Sequence, residues 1–365
     1  MRFFVTGSAG FIGFHVARRL LDDGHHVTGY DALTPYYDVT LKTARHALLE
    51  NSRGFKPVVG QLEDMACLEK AMERAAPDVV IHLAAQAGVR YSLENPSAYV
   101  SANLTGSFNL LEAARKCGVT HLLLASTSSV YGANDSLPYC EGDHTDHPIT
   151  LYAATKRGME AMSHSYAHLW KMPTTILRFF TVYGPWGRPD MALFKFVDAI
   201  LGDRPIDVYG NGRMRRDFTY VDDLVEAIVR LVPSVPVEGR PAGDATIRDT
   251  LSPVAPWRIV NIAGGKPIGL IDFIDATEKA LGRKARCNFL AMQKGDMAET
   301  AADFQLLRHL TGYVPSTRLE RGIEAFVDWH RDYFDHGNAG RSDGDLPAAN
   351  LPFKPRGSSD SRTLQ

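Results

Sequence analysis

The sequence predicts an α/β protein: a doubly wound parallel sheet followed by a smaller α/β part. Three observations predict it. Short apolar runs alternate with longer segments whose apolar residues recur at three- and four-residue spacing. The intervening segments are long enough for the right-handed crossovers that join parallel strands. Runs such as "DVVIHLA" (78–84) and "HLLLAS" (121–126) are apolar without strict alternation, as in strands covered on both faces.

Taken in order, "RFFVT" (2–6) opens the sheet and "FIGFHVARRLLDDG" (11–24) returns as a helix. "HVTGY" (26–30) and "FKPVV" (55–59) are the next strands, and "MACLEKAMERAA" (65–76) is helical. "DVVIHLA" is followed by the helical "AYVSANLTGSFNLLEAARKCG" (98–118), and "HLLLAS" by "LYAATKRGMEAMSHSYAHLW" (151–170). "TTILRFF" (174–180) is the sixth strand. After residue 180 the rhythm breaks. Turns rich in Gly and Pro, "YGPWGRP" and "YGNGRMRRD", alternate with short helices, "MALFKFVDAIL" and "VDDLVEAIVRLV". The expected division is 1–180 for the first part and 181–336 for a smaller, substrate-facing one. Residues 233–256 read as a flexible insertion and 337–365 as a disordered tail, both rich in Pro or Gly and without periodicity.

The composition is 45% hydrophobic and 22% charged, with a formal net charge of −2, which gives no electrostatic case for nucleic acid or an anionic membrane as partner. Four cysteines, Cys67, Cys117, Cys140 and Cys287, show no CxxC spacing and read as reduced thiols. No run approaches the about 18 apolar residues of a membrane span. A strand that starts at residue 2 leaves no room for a leader, so a cytoplasmic location is expected. His25, His26 and His82 form no metal-ligand pattern, and no metal is expected.

"FFVTGSAGFIG" sets Gly7, Gly10 and Gly13 between the first strand and the first helix. Such glycines allow a tight turn and let the backbone approach a pyrophosphate, which the helix N-terminus then attracts. Asp31 ends the second strand, where a carboxylate accepts both ribose hydroxyls of an adenosine and repels a 2′-phosphate. NAD is the expected cofactor. Further on, "YAATK" puts Tyr152 and Lys156 four apart at a helix start, on one face. An ammonium beside a phenol favours the phenolate, which makes the pair a base for a carbinol proton.

With "HLAAQAGVR" (82–90) and Asn103, this combination resembles the extended short-chain dehydrogenase/reductase family over roughly residues 1–330, and within it the nucleotide-sugar epimerases. The resemblance implies a Rossmann-type fold. It implies an NAD site drawn from Gly7, Gly10, Phe11, Ile12, Gly13, Asp31, Gln61, Leu62, Leu83, Ala84, Ala85, Asn103, Tyr152 and Lys156, with Gln61 where the family usually carries Asp. Thr127 would share the sugar 4-OH with Tyr152, beside Lys156. Family dehydratases carry an Asp–Glu pair where this chain has Ser128 and Ser129, which argues against dehydration. "RFFTVYGPWGRPDMALFKF" (178–196) and "YYDVTLKTARHALL" (36–49) resemble the UDP-glucuronate 4-epimerase branch. That likeness implies that Ser128, Ser129, Thr181 and Arg188 hold a C5 carboxylate, Arg216 a diphosphate and Asp296 a uridine ribose. It also implies a homodimer through helices 96–117 and 151–170. Three alternatives stand beside this expectation: a 4-epimerase of neutral UDP-sugars, a UDP-glucuronate decarboxylase, and a dinucleotide-sensing module without activity.

Overall fold

The computed structural model describes residues 1–243 and 247–335. The expected tail 337–365 and residues 244–246 of the expected insertion lie outside the described residues. The chain runs β1 (Arg2–Thr6), α1 (Phe11–Asp22), β2 (His26–Asp31), α2 (Val39–Glu50), β3 (Phe55–Val59), α3 (Met65–Ala75) and β4 (Val79–His82). Next come α4 (Tyr91–Glu94), α5 (Pro96–Tyr99), a π-helical stretch (Val100–Thr105) and α6 (Gly106–Cys117). Then follow β5 (His121–Thr127), α7 (Leu151–Trp170) and β6 (Thr174–Phe179). The last third holds β7 (Thr181–Tyr183), α8 (Ala192–Leu201), β8 (Ile206–Val208), β9 (Arg215–Tyr220), α9 (Val221–Leu231), β10 (Trp257–Ile262), β11 (Pro267–Gly269), α10 (Leu270–Leu281), β12 (Cys287–Phe289), α11 (Gln305–Thr311) and α12 (Leu319–Asp335).

Seven parallel strands form the main sheet in the order β10-β6-β5-β4-β1-β2-β3. Successive side chains of each strand go to opposite faces. Phe3, Val5 and Ile81 therefore pack in one core layer, and Phe4, Val80 and Leu124 in the other. Both faces are covered by helices, as the unbroken apolar runs predict. β3 is the edge, and it carries exposed Lys56 and Pro57, which discourage further pairing.

The strand order reverses between β1 and β4, and a crevice opens there beyond the strands' C-terminal ends. Register sets its levels. Thr6 pairs with Tyr30 and His82, and His82 with Leu124, so β5 runs three residues higher and lifts Thr127 above the floor.

Three features depart from expectation. The segment 36–49 contains a helix, α2, capped by the Asp38 carboxylate on Thr40 N–H. The helix expected over 98–118 is broken into α5, a π-helical stretch and α6. β10, from the second part of the chain, is the far edge of the main sheet, so the chain re-enters that sheet after residue 180. Smaller sheets, β11-β9-β7 and β12-β8, lie in the later part. The described part of 233–256 carries no helix or strand, but its end is tied down: buried Asp249 pairs with Arg258 of β10 at 2.8 Å.

Candidate active site

The crevice is a cleft of about 530 Å³. Its floor is the glycine turn. Gly7 has φ +72°, and a Cβ there would stand 2.8 Å from Ala84 N; a Cβ on Gly13 would stand 1.9 Å from Gly7 O. Turn, helix and the segment after β4 thus touch backbone to backbone. No side chain caps the start of α1, so its first N–H groups and its positive end face the cleft. Buried Asp31 accepts from Ala9 N at 2.9 Å and Leu33 N at 2.8 Å. A carboxylate has about four lone-pair sites, so half remain for a ligand. Phe11, Ile12, Leu62, Leu83, Ala84 and Ala85 supply apolar walls, with Gln61 at the rim.

These residues fit a dinucleotide such as NAD: uncapped N–H donors for a pyrophosphate, a carboxylate with spare acceptors for a ribose, and apolar walls for bases. Sequence reasoning missed two cations here. Lys42 donates to Thr34 O and its hydroxyl at 2.7 and 3.0 Å, and burial lowers its ammonium against the pull of Asp31. Fully buried Arg45 donates to Ala9 O and Trp186 O, joining the glycine turn to the opposite wall.

On that wall, Thr150 caps α7 by accepting from Ala153 N, which puts Tyr152 in the first turn and Lys156 one turn on. Lys156 is 3% exposed and donates to Ala125 O at 2.9 Å. Burial pulls its ammonium down to about 8, with the Glu160 charge opposing. The Tyr152 phenol is pushed up by burial, and the Thr127 hydroxyl and the Arg188 charge only partly offset this. The expected lowering of the phenol by Lys156 does not appear: burial dominates, and the lysine hydrogen-bonds a backbone carbonyl.

The hydroxyl run divides. Thr127 Oγ1 donates to Ser129 Oγ and accepts from Ser129 N, both at 3.2 Å, and Ser128 and Ser129 line the cleft beside it. Ser126 also borders the cleft, but its hydroxyl is turned to the interior, donating to Glu160 Oε1 at 2.6 Å. Glu160 is fully buried and takes a bidentate pair from buried Arg178 at 3.0 and 2.9 Å. Thr181, at the start of β7, and Arg188 complete the lining. Arg188 does not stand alone. Asp190 holds it bidentately, with Nε–Oδ1 at 2.9 Å, and Tyr36 donates to Asp190 Oδ2 at 3.2 Å.

Three expected site residues lie off the cleft lining. Buried Asn103 works behind the lining: its amide grips Gln86 N at 2.8 Å, Gln86 O at 3.1 Å and Thr155 Oγ1 at 3.1 Å. It thus ties the segment after β4 to the turn of α7 that carries Tyr152. Arg216 and Asp296 come together off that lining; burial lowers the Arg216 guanidinium, and the Asp296 charge offsets this only in part. Arg216 donates to Arg215 O and Ala298 O, and Asp296 accepts from Arg90 Nη2 at 3.0 Å. Arg90, over the Tyr209 ring at 4.5 Å, is a third member that spacing did not single out. Val89, its neighbour in sequence, lines the cleft. Among the described residues no group of three or more His, Cys, Asp or Glu could hold a metal, and no helix is long and apolar enough to cross a membrane.

Residues 3–240 match the NAD dependent epimerase/dehydratase family. A probable UDP-glucuronate 4-epimerase of Rhizobium meliloti (strain 1021) is 61% identical over 330 residues, covering 90% of this chain and 97% of the relative. UDP-glucuronate 4-epimerase 1 of Arabidopsis thaliana is 44% identical over 91% of this chain and 77% of the relative. The crystal structure of the UDP-glucuronic acid 4-epimerase from Bacillus cereus, in complex with UDP-glucuronic acid and NAD, superposes with a TM-score of 0.81. It is 33% identical over 92% of this chain and 100% of that one. Glycine turn, Asp31, Tyr152 and Lys156 share one cleft, and a match of this extent agrees with them: the chain belongs to the NAD dependent epimerase/dehydratase family.

Proposed function

We propose that the protein is a UDP-glucuronate 4-epimerase, interconverting UDP-glucuronate and UDP-galacturonate with a retained NAD. One observation carries the choice of substrate. Thr127, Ser128, Ser129, Thr181 and Arg188 line one cleft with the glycine turn, giving neutral donors and a guanidinium where a sugar acid needs them. The relatives' names point the same way.

NAD, when bound, supplies the hydride acceptor and donor that a 4-keto route requires. Gly7, Gly10, Gly13 and Asp31 would hold it, with Gln61, Leu62, Leu83, Ala84 and Ala85 along its length. Tyr152 takes the 4-OH proton and later returns it, with Thr127 hydrogen-bonded to the phenol side. Lys156 carries the positive charge that steadies the phenolate as it forms. The 4-keto sugar would turn in the pocket, and with hydride returned to the other face of C4 the proton from Tyr152 would restore the hydroxyl of the C4 epimer. A 4-keto uronate is a β-keto acid and readily loses CO₂. Ser128, Ser129, Thr181 and Arg188 oppose this by keeping the carboxylate hydrogen-bonded and out of the alignment that decarboxylation needs. Arg216, with Arg90, would bind the diphosphate, and Asp296 the ribose.

A homodimer through the helical segments 96–117 and 151–170 suits their exposed apolar side chains, Phe108 at 45%, Leu169 at 63% and Trp170 at 47%. Four unpaired thiols suit the cytoplasm. The working division is an NAD-binding part over 1–180 and a mainly UDP-sugar-binding part over 181–336. A second reading, a 4-epimerase of neutral UDP-sugars, is favoured by Asp190, which already engages two donors of Arg188.

Purified protein incubated with UDP-glucuronate and no added NAD, followed by NMR, tests the choice. UDP-galacturonate without CO₂ release is the expected result. A UDP-pentose would indicate the decarboxylase, and turnover of UDP-glucose alone the neutral-sugar enzyme. No turnover of any nucleotide sugar would return the chain to a sensing role.

A further inference from the structure

Two side chains that the reaction scheme does not use converge on Arg188 from separate segments. Asp190 lies in the turn after β7, and Tyr36 in the segment between β2 and α2. We propose that Asp190, braced by Tyr36, is a positioning residue that sets which edge of the Arg188 guanidinium meets the carboxylate of the sugar. The inference rests on the uronate reading above.

A guanidinium has five N–H donors and two edges that can take a carboxylate bidentately. Asp190 occupies the side edge, through Nε at 2.9 Å and through Nη2. Three donors remain, the second on Nη2 and both on Nη1, with no hydrogen bond from them among the described residues. The Nη2 donor and one of the Nη1 donors form the second edge, and Arg188 lines the cleft. A second carboxylate can therefore bind without displacing the first.

Asp190 is itself fixed. The Tyr36 hydroxyl donates to its Oδ2 at 3.2 Å, and the Tyr36 ring covers the guanidinium at 5.9 Å. Tyr91 backs that ring at 4.9 Å, and Gly88 leaves room for its hydroxyl, since a Cβ there would stand 2.4 Å from that oxygen. The guanidinium is thus held on one edge and one face. An arginine in a Gly/Pro turn would otherwise sample many rotamers, and the ordering needed to bind would weaken the complex. Asp190 also neutralises the half-buried cation when no acidic sugar is present. A uronate then has to be held jointly by the free edge and the hydroxyls, and an error in the aim of Arg188 loosens the carboxylate specifically.

The test compares Asp190→Asn and Tyr36→Phe with the unmodified protein. Steady-state kinetics with UDP-glucuronate, inhibition by UDP, and NMR of the product ratio are measured on each. Asp190→Asn is expected to raise KM for UDP-glucuronate about tenfold, the scale of one charge-assisted bond, and to let UDP-pentose appear. Inhibition by UDP should stay within about twofold, because the nucleotide end is untouched. Tyr36→Phe removes one hydroxyl and should move KM about threefold in the same direction. Unchanged KM and product ratio in both variants would overturn the proposal. So would a fall in KM, which would make Asp190 a competitor of the substrate, or an equal weakening of UDP, which would mean general loosening. If the unmodified protein does not epimerise UDP-glucuronate, the functional reading fails first and takes this inference with it.

Discussion

At one end of the cleft the contacts are made by backbone: the glycine turn against Ala84, Asp31 on Ala9 N–H, and the uncapped start of α1. At the other end they are made by side chains brought from separate segments: Ser128 and Ser129 after β5, Thr181 on β7, Arg188 and Asp190 in the next turn, Tyr36 between β2 and α2. The first end is centred on one strand–turn–helix, β1 to α1, whose close backbone contacts leave little choice of residue. The second is a set of rotamers that must agree with one another. A dinucleotide is the same in every enzyme that uses it, so a backbone cradle suffices. A sugar substituent varies, and side chains can vary with it.

Several experiments break or sharpen this contrast. The largest effect falls where the two ends meet. Tyr152→Phe removes the proton carrier and should lower kcat by about 10²–10⁴ while NAD stays bound, as absorbance of the released cofactor would show. Next is pH. Burial brings Lys156 down to about 8, so its ammonium is present at pH 7 and is lost as the pH rises through that value. A kcat profile should fall by up to about tenfold per unit on the alkaline side. Lys156→Arg should be slower throughout but lose that limb, because a guanidinium does not titrate there. The smallest effect tests the hydroxyl run. Ser126→Ala leaves one oxygen of the buried Glu160 with fewer donors and should cost about 1–3 kcal/mol in chemical denaturation. Its product ratio should stay that of the unmodified protein, unlike a change at Ser128 or Ser129.

The same contrast explains what could be read from the sequence. β1 and α7 fall where the apolar pattern puts them, because burial on one or two faces imposes a period that survives in the residues. α2 was less legible: Lys42, Arg45 and His46 are buried on it, so its inward face does not look apolar. The π-helical stretch leaves no mark in propensity, yet it carries Asn103, which grips the segment after β4 instead of lining the cleft. β10 was hidden by the loss of rhythm after residue 180. At the cofactor end, the turn, Asp31 and the apolar walls all line the cleft together. At the sugar end Arg188 could be named, but not its partner two residues on. "GRPD" reads as a turn, and which donor of an arginine faces which carboxylate is decided by tertiary packing. Arg90 and Tyr36 were invisible for the same reason: each acts across more than a hundred residues, with Asp296 and Asp190.

The central claim is that the sugar end recognises a carboxylate and restrains it during C4 chemistry. Arg188→Leu, assayed in parallel on UDP-glucuronate and UDP-glucose with NMR of the products, tests it most directly. The account predicts that kcat/KM for UDP-glucuronate falls about ten- to a hundredfold, with UDP-pentose among the products, while any turnover of UDP-glucose is unchanged. Equal losses on both sugars, or full activity on UDP-glucuronate with no CO₂ released, would contradict it.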